Sequence, residues 1–438
     1  MRASIRRSAL AASTVAGLAL SACGGGSPGG STVVDIAGSA PTGVTLTLWH
    51  NTADPQALLD LYKKYESASG NTIELVDVPA ATYPPAIQAK WATGERPDLL
   101  EWHGNKTDLL ALNGANTMLD LSGLGFVAKE GALAQVAGNI DGKVYAASIG
   151  FPSVSGVFYN KQVLARAGVP TPASYADLAS ACAKLKAAAP GVTPVYVAGG
   201  DGWPPQILSG WNYLAEYNVG AAYDNDANNG RVKVNDPKGA LVAGLEAFDS
   251  LRTSGCFNTD ATTAKWTDSL KSLLDGKAAF VAQNSDSISQ LDTLANGDTK
   301  KVDDAIGFVG VSATTQLANY APTVLGTYYA PRTGDARKQR AAADFIDFIT
   351  GAGYADYVTA SGAPPTLSGT PAPRLQGLWQ QVQTAYQAGA GLTFISQLPG
   401  FNNFGPETGK LLAGQESPQQ TADKMRTYFL QAQAAVGK

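Results

Sequence analysis

The sequence is poor in the residues that most enzymes use for acid–base or metal chemistry. It contains two histidines and three cysteines among 438 residues. It has no Ser/His/Asp arrangement in a known order, no metal-ligand spacing and no phosphate-binding loop. An enzyme is therefore the less favoured class, and neither a cofactor nor a metal is expected.

The chain also lacks an excess of basic residues. Lysine and arginine number 32 against 36 acidic residues, which gives a formal charge of −4 and a pI of about 5.3. Removal of an N-terminal signal carrying Arg2, Arg6 and Arg7 would lower this charge from −4 to −7. An acidic protein is a poor ligand for a polyanion, so no nucleic-acid partner is expected.

Apolar runs long enough to span a membrane are lacking as well. Residues 8–20 are apolar and follow a basic start, but a membrane span needs roughly 20 such residues. This pattern is typical of a signal peptide, predicted over residues 1–22. The run Leu20-Ser21-Ala22-Cys23 resembles the bacterial lipobox, which implies cleavage before Cys23 and acylation of its thiol. An ordinary signal with a free cysteine is the alternative, and Arg6 and Arg7 leave the export route open between Sec and Tat.

Residues 23–43 are predicted to be the lipid anchor and a flexible linker. Beyond Cys23 the segment is rich in Gly, Ser, Thr and Pro and cannot bury a core. Acyl chains on Cys23 would hold the protein to the lipid bilayer, outside the cytoplasm. The two remaining cysteines, Cys182 and Cys256, could form a disulfide in that oxidising location.

The remaining body of almost 400 residues is too long for one hydrophobic core. Three strands are predicted, over residues 44–49, 72–78 and 98–102. Two helical patterns separate them; the first begins at Pro55 and the second ends at Gly94. Strand, helix, strand, helix, strand is typical of a parallel sheet. Residues 141–148 and 151–161 are two consecutive predicted strands without a helix between them. This break in the alternation indicates a crossover between two lobes.

Four landmarks occur in order along this body. They are Leu48-Trp49-His50-Asn51; residues 94–98 with Trp102; residues 141–145 followed by residues 159–161 and 167–168; and residues 275–279. The chain thereby resembles the extracellular solute-binding proteins of sugar-importing ABC transporters, the family of the maltose-binding protein. The resemblance implies a monomeric, non-enzymatic protein that binds a carbohydrate, such as a di- or oligosaccharide, and delivers it to transmembrane permease subunits.

The resemblance also implies the architecture. The expected fold is α/β, a two-lobe periplasmic-binding-protein-like fold of type II, with a three-segment hinge and a ligand cleft between the lobes. Crossovers are expected near residues 151–156, 306–312 and 362–366. Lobe 1 would then contain residues 44–151 and 312–362, and lobe 2 residues 152–311 and 363–438.

A sugar offers apolar C–H faces to aromatic rings and hydroxyls to polar side chains. The resemblance implies a stacking role for Trp102, which follows a strand end where open parallel sheets hold ligands. Asn105 and Lys106 stand where the maltose-binding protein has an acid and an arginine, and this departure leaves the exact sugar open. The predicted ligand-binding residues are His50, Asn51, Asp54, Trp102, His103, Asn105, Lys106, Ser153, Asp201, Trp203, Asn284, Asp286, Tyr328, Phe401, Asn402 and Asn403.

Several of these residues also have a purely structural interpretation. Trp102 could plug the end of the sheet, Asp54 could cap a helix, and Asp201 could be a turn residue. Trp379 and Tyr386 are interpreted as helix-face packing.

Three other functions compete with sugar binding as interpretations of the sequence. Tyr328 and Tyr329 resemble the tyrosine pair of ferric-iron-binding proteins, with His50 or His103 as a further ligand. A carrier of glycerol phosphodiesters or another polar metabolite would need more basic residues than Lys106. A secreted glycosidase would need two carboxylates across a scissile bond.

Overall fold

The structure, a computed structural model, describes residue 34 and residues 36–79 and 82–435. The predicted signal peptide, Cys23 and residues 24–33 of the predicted linker lie outside the described residues. Among the helices that are described, none has the length and hydropathy needed to cross a membrane.

The strands are short and fall into two main sheets and one small ribbon. In chain order they are β1 (Thr45–Asn51), β2 (Thr72–Val78), β3 (Leu99–Glu101), β4 (Asn139–Ile140), β5 (Lys143–Val144), β6 (Ala146–Ser148), β7 (Ser153–Asn160), β8 (Thr193–Tyr196), β9 (Ala278–Asn284), β10 (Ile306–Val309), β11 (Asn319–Ala321), β12 (Thr327–Tyr329) and β13 (Gly391–Leu392).

The α-helices cover the sheets. They are α1 (Gln56–Ser69), α2 (Tyr83–Ala92), α3 (Lys106–Ala111), α4 (Gly114–Thr117), α5 (Phe126–Glu130), α6 (Lys161–Ala167), α7 (Tyr175–Ala188), α8 (Asn212–Leu214), α9 (Ala222–Asn228), α10 (Ala240–Thr253), α11 (Trp266–Leu274), α12 (Ser287–Leu294), α13 (Thr299–Ala305), α14 (Ala336–Thr350), α15 (Tyr354–Ser361), α16 (Gly377–Gln387), α17 (Phe404–Leu412) and α18 (Pro418–Ala435).

The first sheet has the order β2-β1-β3-β12-β6. β1 runs parallel to β2 and β3, whereas β12 is antiparallel to β3 and β6. The three strands predicted over residues 44–102 are thus confirmed. Helix α1 buries the predicted apolar face, which includes Leu58, Leu61 and Tyr65, because residues three and four apart share one side of a helix.

The second sheet has the order β13-β11-β7-β9-β8, with β10 paired to β7. β7 is its long central strand and is antiparallel to β9, β10 and β11. Each sheet has its own buried hydrophobic clusters, so the chain forms the two α/β lobes that were predicted. We call the lobe around the first sheet the first lobe and the other the second lobe.

The chain crosses between the two sheets three times. The crossings lie between β6 and β7, between β11 and β12, and between α15 and α16. Gly326 lies at the second crossing with a φ of 82°, a conformation that glycine adopts without strain. Its carbonyl accepts a hydrogen bond of 2.8 Å from the Ile149 amide of the first crossing, which ties the two hinge segments together.

The strand pairing corrects two of the predicted lobe boundaries. Asn319 and Ala321 pair with Ser155 and Ser153 of β7, so the chain stays in the second sheet well past the predicted boundary at residue 312. Leu367 is buried in a cluster of the first lobe, and the Ser368 amide donates to the carbonyl of Lys129 there. The third crossing therefore begins after residue 368 rather than at residue 363.

The C-terminal part of the predicted flexible linker packs on the first lobe. Arg340 donates from Nη2 to the carbonyls of Ile36 and Gly38. Asn71 Nδ2 donates to the Pro41 carbonyl at 3.0 Å, and Arg337 Nη2 donates to that of Thr42 at 2.6 Å. We call residues 36–43 the N-terminal strap. For these residues the flexible-linker prediction is wrong, because side chains distant in sequence satisfy the backbone carbonyls.

The second lobe contains a disulfide between Cys182 and Cys256, with their Cα atoms 5.7 Å apart. It joins α7 to the segment that follows α10. Both residues are buried.

Candidate functional site

Several strands of the first sheet end or begin at the same edge, and the chain continues from there into the hinge. The parallel strands β1 and β3 end at this edge, and the Tyr328–Glu101 pairing places the start of β12 beside the end of β3. Thr327 pairs with Ser148 at the end of β6. Two of the three crossings therefore leave from the edge that carries the polar residues after β1 and β3.

The second sheet presents a matching edge. Ser155 near the start of β7 pairs with Asn284 at the end of β9. β8 is parallel to β9, so the loop after β8 lies at this edge too. Thr107 Oγ1 of the first lobe donates a hydrogen bond of 3.2 Å to the Ile395 carbonyl of the second lobe. We call the space between these two edges the interlobe cleft.

A buried polar network lies behind the first wall of the cleft. His50 Nδ1 lies 3.1 Å from Asp54 Oδ2, and its Nε2 lies 2.8 Å from Asp77 Oδ1. The hydrogen bond to Asp54 is the main reason why the pKa of His50 is raised. Tyr62 donates to Asp54 at 3.2 Å and lies 2.6 Å, oxygen to oxygen, from the hydroxyl of Tyr328. His50, Asp54 and Tyr328 thus lie together and bond within the lobe, although Asp54 Oδ1 is buried without a partner among the described residues.

Glu101 connects this network to the hinge, and the sequence analysis missed it. Its carboxylate accepts hydrogen bonds from the amides of Asn51 at 3.0 Å and Gly326 at 2.7 Å. The residue is completely buried, and burial together with the nearby Asp54 raises its pKa well above the usual range. A glutamate at the end of an otherwise apolar strand was the available signal, because such a residue is buried only when its oxygens have partners.

Trp102 is completely buried in this structure. Its ring stacks on His103 with the centroids 4.9 Å apart and packs against Tyr83 at 6.0 Å. Its Nε1 has no hydrogen-bond partner within the part of the chain that the structure describes. This packing fits the structural interpretation and leaves no ring face of Trp102 open to a ligand in this conformation.

The residues after Trp102 organise the start of α3. Asn105 caps this helix: its Oδ1 accepts from the Asp108 amide at 2.8 Å, and its Nδ2 donates to Asp108 Oδ2 at 2.7 Å. His103 Nδ1 bonds the same carboxylate, and its side chain remains 25% exposed. Lys106 Nζ lies 3.5 Å from Asp141. His103 is therefore the ring of the Trp102–His103 stack that reaches solvent.

On the second wall, two serines of β7 bond residues at the end of β9. Ser153 Oγ donates to Asp286 Oδ2, and Ser155 Oγ donates to Asn284 Oδ1. Asp286 is exposed to solvent, yet desolvation by the surrounding protein raises its pKa to about 7. An exposed but strongly desolvated carboxylate is expected deep in a concave surface, so Asp286 fits a cleft wall.

Asp201 and Trp203 also lie at the second edge, but Asp201 has structural partners. Asp201 Oδ2 accepts from the Trp266 amide at 2.7 Å at the start of α11, and its Oδ1 pairs with Lys265 at 3.2 Å. Trp203 is half-buried and packs against Trp266, with the ring centroids 6.4 Å apart. Trp203 therefore keeps part of its ring accessible, whereas the turn interpretation fits Asp201.

The late loop divides into a buried and an exposed part. Phe401 is completely buried among core aromatics, so the prediction that it lines a binding surface does not fit this structure. Asn402 is exposed and Asn403 is half-buried. Asn403 Nδ2 donates to the carbonyl of Gly400 at 3.1 Å.

The comparison with known families agrees with this two-lobe geometry. Residues 60–384, more than half of the chain, match the family model of bacterial extracellular solute-binding proteins. The chain belongs to this family. No curated protein matches the sequence.

Several solved structures share the fold of this solute-binding protein, and the alignments with it cover nearly the whole length of each. A chitin oligosaccharide binding protein aligns with a TM-score of 0.75 at 22% identity, over 90% of this chain and 99% of that one. RafE in complex with raffinose aligns with a TM-score of 0.71 at 17% identity, over 88% and 98%. The GacH receptor of Streptomyces glaucescens, solved unliganded and with acarbose, aligns with a TM-score of 0.66 at 18% identity, over 90% and 99%.

This solute-binding protein also has an aromatic cluster beside the hinge that the sequence analysis did not select. Phe151 of the first crossing packs against Trp379 and Tyr386 of α16, with ring centroids 6.1 and 5.4 Å away. Tyr320, in the middle of β11, has its ring centroid 5.1 Å from that of Tyr386. All four side chains are half-buried. The available signal was the spacing of Trp379 and Tyr386, which places both on one face of a helix next to a crossover.

The geometry opposes an iron site at Tyr328 and Tyr329. Tyr328 bonds the hydroxyl of Tyr62, and Tyr329 donates to the His103 carbonyl at 2.8 Å. Burial raises the pKa of both tyrosines well above the usual range, which disfavours the tyrosinate form that ferric iron needs. Within the described ranges there is also no group of three or more His, Cys, Asp or Glu residues that could hold a metal ion.

A cavity of about 440 Å³ lies at the opposite end of the second sheet, where Asn160 ends β7. It is open and polar, and some of its charged side chains pair within the protein: Lys300 pairs with Asp304 at 2.6 Å and Asp275 with Lys271 at 2.9 Å. The cleft is the better candidate site, because it adjoins the hinge and has groups from both lobes.

Proposed function

We propose that this protein is the substrate-binding lipoprotein of an ABC importer and that it binds a carbohydrate, a di- or oligosaccharide, in the interlobe cleft. The observation that carries the proposal is the convergence of both sheet edges on the hinge. These edges bring polar side chains from the two lobes to one cleft. Beside them lies the half-buried aromatic cluster of Phe151, Tyr320, Trp379 and Tyr386. Aromatic faces combined with a few polar groups suit the mixed surface of a sugar.

The comparisons support the same class of ligand. The similar structures described above are named for chitin oligosaccharide, raffinose and acarbose. A two-lobe protein with three hinge segments can close around such a ligand, because a ligand that contacts both lobes favours the closed state. The closed form would then dock on the transmembrane permease as a monomer, and this cycle needs no chemistry on the sugar.

Ligand binding can be tested by thermal shift with protein stripped of ligand by unfolding and refolding. A panel of neutral mono-, di- and oligosaccharides should contain at least one that raises the melting temperature in a concentration-dependent way. A melting temperature that no sugar of the panel raises would count against a carbohydrate ligand. Product formation detected by mass spectrometry would instead indicate a glycosidase, and a visible absorption band after iron addition would indicate the ferric alternative.

The lipid anchor at Cys23 is part of the same proposal. Expressed in a bacterial host with its own leader, the protein should fractionate with membranes, and the N-terminal peptide should carry acyl chains by mass spectrometry. Cys23→Ala should release the protein from the membrane fraction. Membrane association that survives this change would contradict acylation at Cys23.

A further inference from the structure

The carboxylate of Asp286 makes almost none of the contacts that usually hold an aspartate in a fold. It directly precedes α12 (Ser287–Leu294), where an aspartate commonly caps the helix, yet its side chain makes no capping hydrogen bond. Its one hydrogen-bond partner in the described part of the chain is Ser153 Oγ. No Lys, Arg or His of the described residues lies within ion-pair distance of it, unlike Asp201 with its Lys265 partner. The second wall of the cleft therefore carries an uncompensated negative group.

Tyr357 of α15 belongs to the opposite lobe and is 8% exposed. Its hydroxyl has no hydrogen-bond partner among the residues that the structure describes. Although most of the side chain is buried, the hydroxyl oxygen itself keeps access to solvent. A ligand group is one partner that could satisfy it.

The two side chains share one electrostatic environment. The pKa of Tyr357 is raised mainly by burial, then by Tyr354, and also by the charges of Glu101, Asp54 and Asp286. The contacts place both side chains beside the first crossing. Tyr357 packs against Tyr354 with the ring centroids 6.2 Å apart, and the Tyr354 hydroxyl bonds the carbonyl of Ile149 at that crossing. Ser153, which bonds Asp286, begins β7 just after the same crossing. Because Asp286 has no basic side chain beside it among the described residues, the space between Asp286 and Tyr357 favours a cation.

We propose that Asp286 and Tyr357 form a subsite of the interlobe cleft that binds the protonated amino group of an amino sugar. An ammonium group can donate one hydrogen bond to the Asp286 carboxylate and another to the Tyr357 oxygen. It also compensates the negative charge, which a neutral hydroxyl cannot do. This inference rests on the proposed carbohydrate function and names the class of sugar.

The test compares two series of β-1,4-linked oligosaccharides by isothermal titration calorimetry at pH 7.5. Chito-oligosaccharides that are fully deacetylated carry an amine where cello-oligosaccharides of the same length carry a hydroxyl. The wild-type protein should bind the amine series at least tenfold more tightly. Asp286→Asn should reduce this ratio to about threefold or less, and Tyr357→Phe should reduce it in part.

Asp304→Asn is the matched control. Asp304 lies on α13 at the other end of the second lobe, where its exposed carboxylate pairs with Lys300. This variant removes the same charge from the same lobe and should keep the wild-type ratio. Equal melting temperatures of the ligand-free proteins would exclude misfolding as the cause of any difference.

A pH series adds a second readout. Binding of the amine series should be strongest near pH 7 and weaken on both sides. As the pH falls, protons compete for Asp286, whose pKa is about 7, and as the pH rises, the weakly basic sugar amine loses its own proton. His50 also titrates nearby with a raised pKa. The Asp286→Asn variant separates the two groups, since it should lose the weakening at acid pH while His50 is intact.

The possible results distinguish this inference from the proposed function. Equal affinity for both series, or an amine preference that survives Asp286→Asn, would overturn the amino-sugar subsite and leave carbohydrate binding standing. Binding of neutral sugars with rejection of the amines would do the same. The absence of binding by either series and by the neutral panel would contradict the carbohydrate function itself.

Discussion

Glu130 is a buried carboxyl group in the first lobe next to the hinge. Its Oε1 accepts a hydrogen bond of 2.6 Å from the amide of Ser148, at the end of β6. Its Oε2 has no partner among the described residues. Burial raises the pKa of Glu130 to about 8, so the proton stays on this group at neutral pH.

Glu130→Gln should therefore change the pH dependence of stability. A raised folded-state pKa stabilises the protein below the unfolded pKa of about 4.5, and this contribution is lost as the pH rises through about 8. Glutamine does not titrate, so the variant should gain about 1–3 kcal/mol relative to wild type between pH 5 and pH 8.5. Urea denaturation at pH 5, 7 and 8.5 measures the gain, and a difference that is constant with pH would refute it.

Trp102 offers a prediction about packing. Because its side chain is completely buried, Trp102→Ala should destabilise the protein by about 3–5 kcal/mol through the cavity it leaves. Trp102→Phe keeps most of the ring volume and should cost less. The free energy of unfolding measured in urea checks both values. A phenylalanine variant with unchanged stability and weakened sugar binding would restore Trp102 as a ligand platform.

The helices illustrate how much local sequence determines. Ser174 caps α7 in a reciprocal capping box with Asp177, and α14 buries Phe345, Ile346 and Ile349, as their spacing predicts. Asn105 likewise caps α3, so a residue selected for ligand binding has a local role as well. Capping and periodicity act within one or two turns, and for this reason they can be read without the fold.

The N-terminal strap gives a prediction about an element that has no regular secondary structure. Arg340→Ala removes the hydrogen bonds to the carbonyls of Ile36 and Gly38 and should cost about 1–2 kcal/mol. The strap should also become more accessible, so limited proteolysis near residue 38 should be faster. Lys300→Ala, which breaks an exposed pair with Asp304, is the control and should leave the stability nearly unchanged. Equal proteolysis rates for Arg340→Ala and wild type would contradict a docked strap.

The disulfide acts on the second lobe as a whole. It closes a loop with a sequence separation of 74 residues, and a cross-link over a loop of this length restricts the unfolded chain considerably.

Replacing both cysteines with serine should lower the free energy of unfolding by about 2–4 kcal/mol. Guanidinium denaturation of the double variant and of the wild type, each without reductant, provides the measurement. Sugar affinity should stay within about twofold, because the bond lies in the second lobe between α7 and the segment after α10 and not at the cleft edges. An unchanged denaturation midpoint would contradict this role.

The sequence alone determined the alternating α/β pattern of the first lobe, the helix caps and the resemblance to a family, because each depends on neighbouring residues or on short motifs in order. The family model matches the chain, so that resemblance is confirmed. The predicted signal peptide and the acylated Cys23 lie outside the described residues and stay predictions.

Only the tertiary structure decided which strand ends form the cleft. It placed β11 in the second sheet, buried Trp102, and left Asp286, at the start of α12, without a capping hydrogen bond. These outcomes depend on contacts between residues far apart in the chain, for which a single sequence carries no local signal. The sequence predicts ligand-binding roles for Trp102, His103 and Asn105, whereas the fold places Trp102 in the core, His103 on the accessible side of the stack and Asn105 at the cap of α3.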